Sequence, residues 1–134
     1  MNRILKFILA AVPVAVFFSC STEPDKQDTY YLIKVDSLTH PASVSLNDTI
    51  KFRFYGVVGT DGCHSFSHFE ALDKSSGLDL WLWGKVPSYA DACPAVMVYL
   101  NGKEYKHKAK ERGIFRLSIN QPDGSVLKDS VAVQ

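Results

Sequence analysis

No excess of charge marks this sequence: across 134 residues Lys and Arg number 15 and Asp and Glu 14, a formal net charge of +1. That balance excludes a globally basic nucleic-acid binder and an acidic solvating tail. Catalytic motifs are missing too. The chain has no Gly-x-Ser-x-Gly elbow, no phosphate-cradling glycine loop, no His-Glu-x-x-His and no acidic metal loop. Nothing in it therefore names a reaction, a cofactor or a metal. No apolar run reaches the ~20 residues that a membrane-spanning helix needs, and cysteines number only three. What is present, 46% hydrophobic and 22% charged residues, is the composition of a folded domain, and the length allows one.

Arg3 and Lys6 make the N-terminus positive, and residues 7–18 are apolar apart from the break at Pro13. This is the layout of a secretory signal peptide. A buried core helix fits poorly, because Val12, Val14, Val16, Phe17 and Phe18 surround the whole helical circumference and leave no polar face. The run ends in Phe17-Phe18-Ser19-Cys20, followed by Ser21. These residues resemble the lipobox of bacterial lipoproteins, with Phe17 at the first position, as is frequent in Bacteroidota-type lipoproteins.

The resemblance implies cleavage after residue 19, acylation of Cys20 and a membrane partner held through that lipid anchor. Two or more acyl chains are what stable anchoring requires. Cleavage removes Arg3 and Lys6 from the cations and nothing from the anions, leaving a slightly acidic mature chain. Residues 20–29 then form a tether, since Glu23, Pro24, Asp25, Lys26, Gln27 and Asp28 offer little apolar surface to bury. Spaced acidic residues after the cysteine resemble the surface-export signal of Bacteroidota-type lipoproteins. The expected location is the bacterial outer membrane, facing either the outside or the periplasm.

With Cys20 assigned to lipid, Cys63 and Cys93 remain, and in an oxidising compartment they form the one available disulfide. A metal site at Cys63, His64, His68 and Glu70 is the competing reading. It is disfavoured because residues four apart on a strand stand roughly 13 Å apart, too far for one ion.

From residue 30 the hydrophobic period is two, with turn residues about every ten positions. Strands are expected at 30–36, 50–55, 65–72, 78–86, 96–100, 103–109, 114–120 and 125–133, with a short extended piece within 41–47. Glycines mark 56–62 as a loop, and a longer loop over 87–94 holds Cys93. Asn101-Gly102 is the strongest hairpin signal, because a type I′ turn needs positive φ at both central positions. Residues 103–112 also read as a helix stopped by Gly113.

The expected fold is all-β: an antiparallel, Ig-like (Greek-key) β-sandwich of about seven to eight strands over residues 30–134. With Asp48-Thr49-Ile50 opening an early strand and Gly113-Ile114-Phe115 a late one, the chain is similar to small Ig-like domains of bacterial lipoproteins. Phe115 stands where the tyrosine corner of a true Ig domain has Tyr, so that corner hydrogen bond is missing.

Trp81 and Trp83 share one face of their strand, with Leu80 and Leu82 on the other. Either the indoles form an exposed platform for a sugar or a protein, or they are core and a loop covers the leucines. Glu104, Lys106, Lys108, Lys110 and Arg112 share one parity, making either an anion-binding stripe or the usual lysine defence of an edge strand. Ser37, Thr49 and Ser130 sit in Asp-Ser/Thr-apolar tripeptides, which resemble O-glycosylation sites of Bacteroidota-type exported proteins; the same tripeptides also suit turns.

The expected function is that of a non-catalytic, lipid-anchored envelope protein binding a protein or glycan partner and no nucleic acid. A small carbohydrate-binding accessory module comes second and a small hydrolase third.

Overall fold

The computed structural model describes residues 27–134. The expected signal peptide, Cys20 and most of the tether lie outside the described residues. Every regular element among those residues is a strand: β1 (Asp28–Leu32), β2 (Ser37–Thr39), β3 (Ser43–Val44), β4 (Thr49–Tyr55), β5 (Val57–Gly59), β6 (Ser65–Lys74), β7 (Gly77–Pro87), β8 (Val98–Tyr99), β9 (Lys103–Lys108), β10 (Gly113–Asn120) and β11 (Val126–Val133).

The larger sheet is built around β7, whose eleven residues pair with β6 along one edge and share the other edge between β1 and β10. β11 and then β3 extend it beyond β10. A three-stranded sheet, β2-β4-β9, covers this sheet, with the short β5-β8 pair continuing nearby. Strict alternation does the sorting. Ile50, Phe52 and Phe54 of β4 are fully buried between Thr49, Lys51, Arg53 and Tyr55, which are exposed. They meet Leu78, Leu80, Leu82, Leu117, Ile119, Val131 and Val133 from the larger sheet in one core. Phe69 touches both Phe54 and Tyr105, at ring-centroid separations of 5.8 and 5.2 Å, and so ties β6 to the sheet opposite.

After β1 the chain crosses between the sheets, burying Ile33 and Val35 in the core before the Asp36 N–H donates to the Tyr55 carbonyl at 2.9 Å. The Asn101-Gly102 turn forms as its sequence requires, with φ of 50° and 77°.

Several expectations are corrected. The sheet is mixed, because β10 runs parallel to β7 and β3 parallel to β11. Strand count rises to eleven because bends split off two- and three-residue pieces, including β5 inside the expected glycine loop. The strand expected from residue 103 is borne out over 103–108, in register on β4 from Thr49↔Lys108 to Phe54↔Lys103, and only the alternative helix is set aside. β1 begins two residues inside the expected tether, where Lys85 Nζ lies 2.7 Å from Asp28 Oδ2.

Candidate functional site

Leu80 and Leu82 are 0% exposed, so the opposite face of β7 turns Trp81 and Trp83 outward, where both are half-buried. The core reading of the indoles is thereby overturned. Their neighbours come from β6 and β1 through the register Glu70↔Trp81, His68↔Trp83 and Leu32↔Trp83. Trp83 Nε1 donates to Glu70 Oε2 at 2.8 Å. The His68 ring lies nearly parallel to Trp83, with centroids 6.3 Å apart, and Tyr30 meets His68 edge-on at 6.2 Å. A row Tyr30–His68–Trp83 therefore crosses three strands, and Trp81 extends it along β7.

A β-bulge at Ser67 makes this row possible. The register slips between Phe66 and His68, so that Phe66 and Phe69, an odd number of residues apart, both pack on the core while His68 and Glu70 face out. Uninterrupted alternation would have placed Phe66 and His68 on one face. The sequence reading therefore missed His68, Glu70 and Tyr30 as partners of the tryptophans.

At the end of β7 where the chain enters β1, Cys63 and Cys93 form a disulfide with their Cα atoms 5.2 Å apart. Asp61 Oδ1 accepts from the Cys63 N–H at 3.0 Å and lies 2.8 Å from His64 Nδ1. The His64 contact first, and the Cys63 N–H second, hold the Asp61 carboxyl below the usual carboxylate range. Tyr31 meets His64 edge-on at 5.6 Å and donates its hydroxyl to the Val58 carbonyl at 2.7 Å. Donor atoms of Asp61, Cys63 and Cys93 lie within 4.8 Å of one another, but the sulfurs bond to each other and offer no thiolate to a metal. His68 faces the tryptophans, so the cysteine–histidine metal reading brings no single set together. Along the segment that carries Cys93 and leads into β8, Tyr89, Val96, Met97 and Tyr99 are exposed, and the Tyr99 hydroxyl reaches Met97 Sδ at 3.5 Å.

The opposite end holds a cleft of about 130 Å³ between the β6–β7 turn and residues 107–115. Asp73, His107, Lys110 and Arg112 line it. His107 packs its ring on Phe115 at 4.7 Å, and its Nδ1 lies 3.8 Å from Asp73 Oδ1. Burial pulls the imidazole below its ordinary range, a tendency that Asp73 opposes. Ser75 and Ser76 also line the cleft, yet among the described residues neither hydrogen-bonds His107, so no nucleophile–base pair is assembled.

The stripe expected from Glu104 to Arg112 is cut short. β9 ends at Lys108, the Ala109 N–H donates to the Asp48 carbonyl at 2.8 Å, and Lys110 and Arg112 leave the strand to line the cleft. Ser37, Thr49 and Ser130 are all exposed, on β2, β4 and β11. Set against family models, curated proteins and solved structures, the chain matches none.

Proposed function

We propose that this chain is a lipid-anchored outer-membrane protein, acylated at Cys20, that binds a glycan through the Tyr30–His68–Trp83–Trp81 row. The observation that carries the reading is the complete burial of Leu80 and Leu82, which leaves two half-buried tryptophans on the outer face of the central strand. Aromatic rings with polar groups at their edges suit a sugar, whose C–H face stacks on a ring while its hydroxyls hydrogen-bond beside it. Glu70, His68 and Ser67 supply such groups, and Ser67 Oγ lies 2.9 Å from His68 Nδ1.

The sandwich is read as Ig-like and Greek-key, on the strength of two facing sheets joined by a chain that crosses between them at residues 33–36. Residues 21–27 reach at most ~25 Å from the lipid. The disulfide end would then lie near the bilayer, and the cleft of Asp73 and His107 would point away from it. Sugars on Ser37, Thr49 and Ser130 belong to the same proposal.

A protein partner is the second reading, supported by exposed Tyr89, Val96, Met97 and Tyr99 along the segment that carries Cys93. A glycan array probed with wild type, Trp81→Ala/Trp83→Ala and Met97→Ser/Tyr99→Ser separates the two. The glycan reading expects binding that only the tryptophan variant loses, with each truncation costing less than the ~3–5 kcal/mol of a fully buried aromatic. An array without hits, or a tryptophan variant that binds normally, would count against it.

A further inference from the structure

The outer face of the three-stranded sheet carries a second pattern, independent of the tryptophan row. Its register sets Thr49 opposite Lys108, Lys51 opposite Lys106 and Arg53 opposite Glu104, with Thr39 of β2 opposite Arg53 on the other side. Four cations thus share the face with one carboxylate. That carboxylate is already divided, since Glu104 lies 3.2 Å from Arg53 Nε and 3.5 Å from Lys106 Nζ. Among the described residues, Lys51 and Lys108 have no carboxylate within ion-pair distance, and both are exposed.

Edge defence explains only part of this. β9 pairs with β4 alone, so Lys106 and Lys108 protect an open edge. β4 lies between β2 and β9 at Arg53, which pairs with both Thr39 and Glu104 and so guards no edge, whereas β2 ends before it reaches Lys51. The Lys51–Lys106 pair even sets like charges directly opposite one another, an arrangement that destabilises a ladder. Both side chains point to solvent, so core packing does not demand either lysine.

The arrangement of the cations fits a polymer. Strands stand ~4.8 Å apart and alternate residues ~6.8 Å apart along a strand, so the four cations form a close grid. One small anion reaches two of them, whereas a chain bearing repeated anions reaches all four. A groove of about 360 Å³ borders the grid, lined by the hydroxyls of Thr39 and Thr49 together with Lys51 and Arg53. Apart from Tyr55, every outward side chain on these strands is polar, which leaves little apolar surface to enter a bilayer. Tyr55 is also the one outward aromatic ring on these strands, too few for the base stacking by which single-stranded nucleic acid is held.

We propose that this face binds an anionic polysaccharide, whose carboxylates or sulfates pair with Lys51, Arg53, Lys106 and Lys108 while its hydroxyls meet Thr39 and Thr49. The experiment is calorimetric titration of the full chain, in detergent and without attached glycan, with polygalacturonate and with heparin, at about 0.02 M and about 0.3 M salt. At low salt at least one of the two polymers should bind, and binding should weaken at least tenfold at high salt. Lys51→Gln/Lys106→Gln should weaken it a further tenfold or more while leaving the melting temperature unchanged or higher, because a repulsive pair is removed. Arg116→Gln/Lys128→Gln, on the outside of the other sheet, makes the same charge change and should bind as wild type does. Trp81→Ala/Trp83→Ala should also retain binding, which separates this face from the tryptophan row. Failure of both polymers to bind at low salt would overturn the proposal. So would an unaffected lysine variant, an equal loss in the Arg116/Lys128 control, or equally tight, Lys51-dependent binding to phosphatidylglycerol vesicles.

Discussion

The side-chain amide of Gln121 pairs with the backbone of Val35 as a neighbouring strand would. Its Oε1 accepts from the Val35 N–H and its Nε2 donates to the Val35 carbonyl, both at 3.0 Å. The need for it follows from topology. Val35 lies past the end of β1 and Gln121 past the end of β10, the two strands that share one edge of β7, and no strand register includes Val35. Gln121 is the one buried polar residue in the described core. Gln121→Leu should therefore cost about 2–4 kcal/mol, since two buried backbone groups lose their partners at once. Urea denaturation reads this directly; a loss below about 0.5 kcal/mol would mean that water replaces the amide.

The Cys63–Cys93 bond spans 30 residues and staples the loop before β6 to the loop after β7. In the chain-entropy treatment, closing a loop of that size is worth ~3 kcal/mol. Cys63→Ser/Cys93→Ser should lower the melting temperature by roughly 10–20 °C, the shift such a loss produces in a domain of about this size. Reductant should do the same to wild type and nothing further to the variant. Two free thiols in non-reducing peptide maps of protein purified without reductant would contradict the bond.

The anchor proposal rests on Ser19-Cys20 at the end of an apolar run, outside the described residues. Cys20→Ser should abolish labelling with an alkynyl palmitate and leave the precursor uncleaved, while the Cys63→Ser/Cys93→Ser variant still labels. Label persisting on the Cys20 variant would assign the acyl chain elsewhere.

Local chemistry was readable from the sequence wherever a few adjacent residues decide the outcome. Asn101-Gly102 forms its turn because only such residues take positive φ cheaply, and Ile50, Phe52 and Phe54 announce a buried face by alternation. Parity likewise paired Trp81 with Trp83. It could not say which face is outside, because both faces of β7 are apolar and the decision lies with Phe52, Phe54 and the other residues across the core. The Ser67 bulge was hidden because residues 66–72 carry apolar side chains at both parities. Nothing local marks Gln121, because its role is set by a backbone partner 86 positions away. Lys51 and Arg53 joined the β9 lysines only through a register that no local pattern encodes.

His107 links the stability of the folded chain to pH. Its ring is packed on Phe115, with Asp73 and Lys110 as the charged groups acting on it, and burial lowers its proton affinity in the folded chain. The unfolded chain then binds more protons than the folded one between the lowered value and the ordinary histidine range, so stability rises with pH across that window. Acidifying from about pH 7 to pH 5 should progressively destabilise the protein as the unfolded imidazole takes up a proton that the folded one resists. His107→Phe keeps a ring against Phe115 and removes the titration, so its urea midpoint should vary less over the same range. Parallel pH profiles for wild type and variant would assign the dependence to groups other than His107. A wild-type midpoint that increases on acidification would mean instead that Asp73 outweighs burial and holds the imidazole charged in the folded chain.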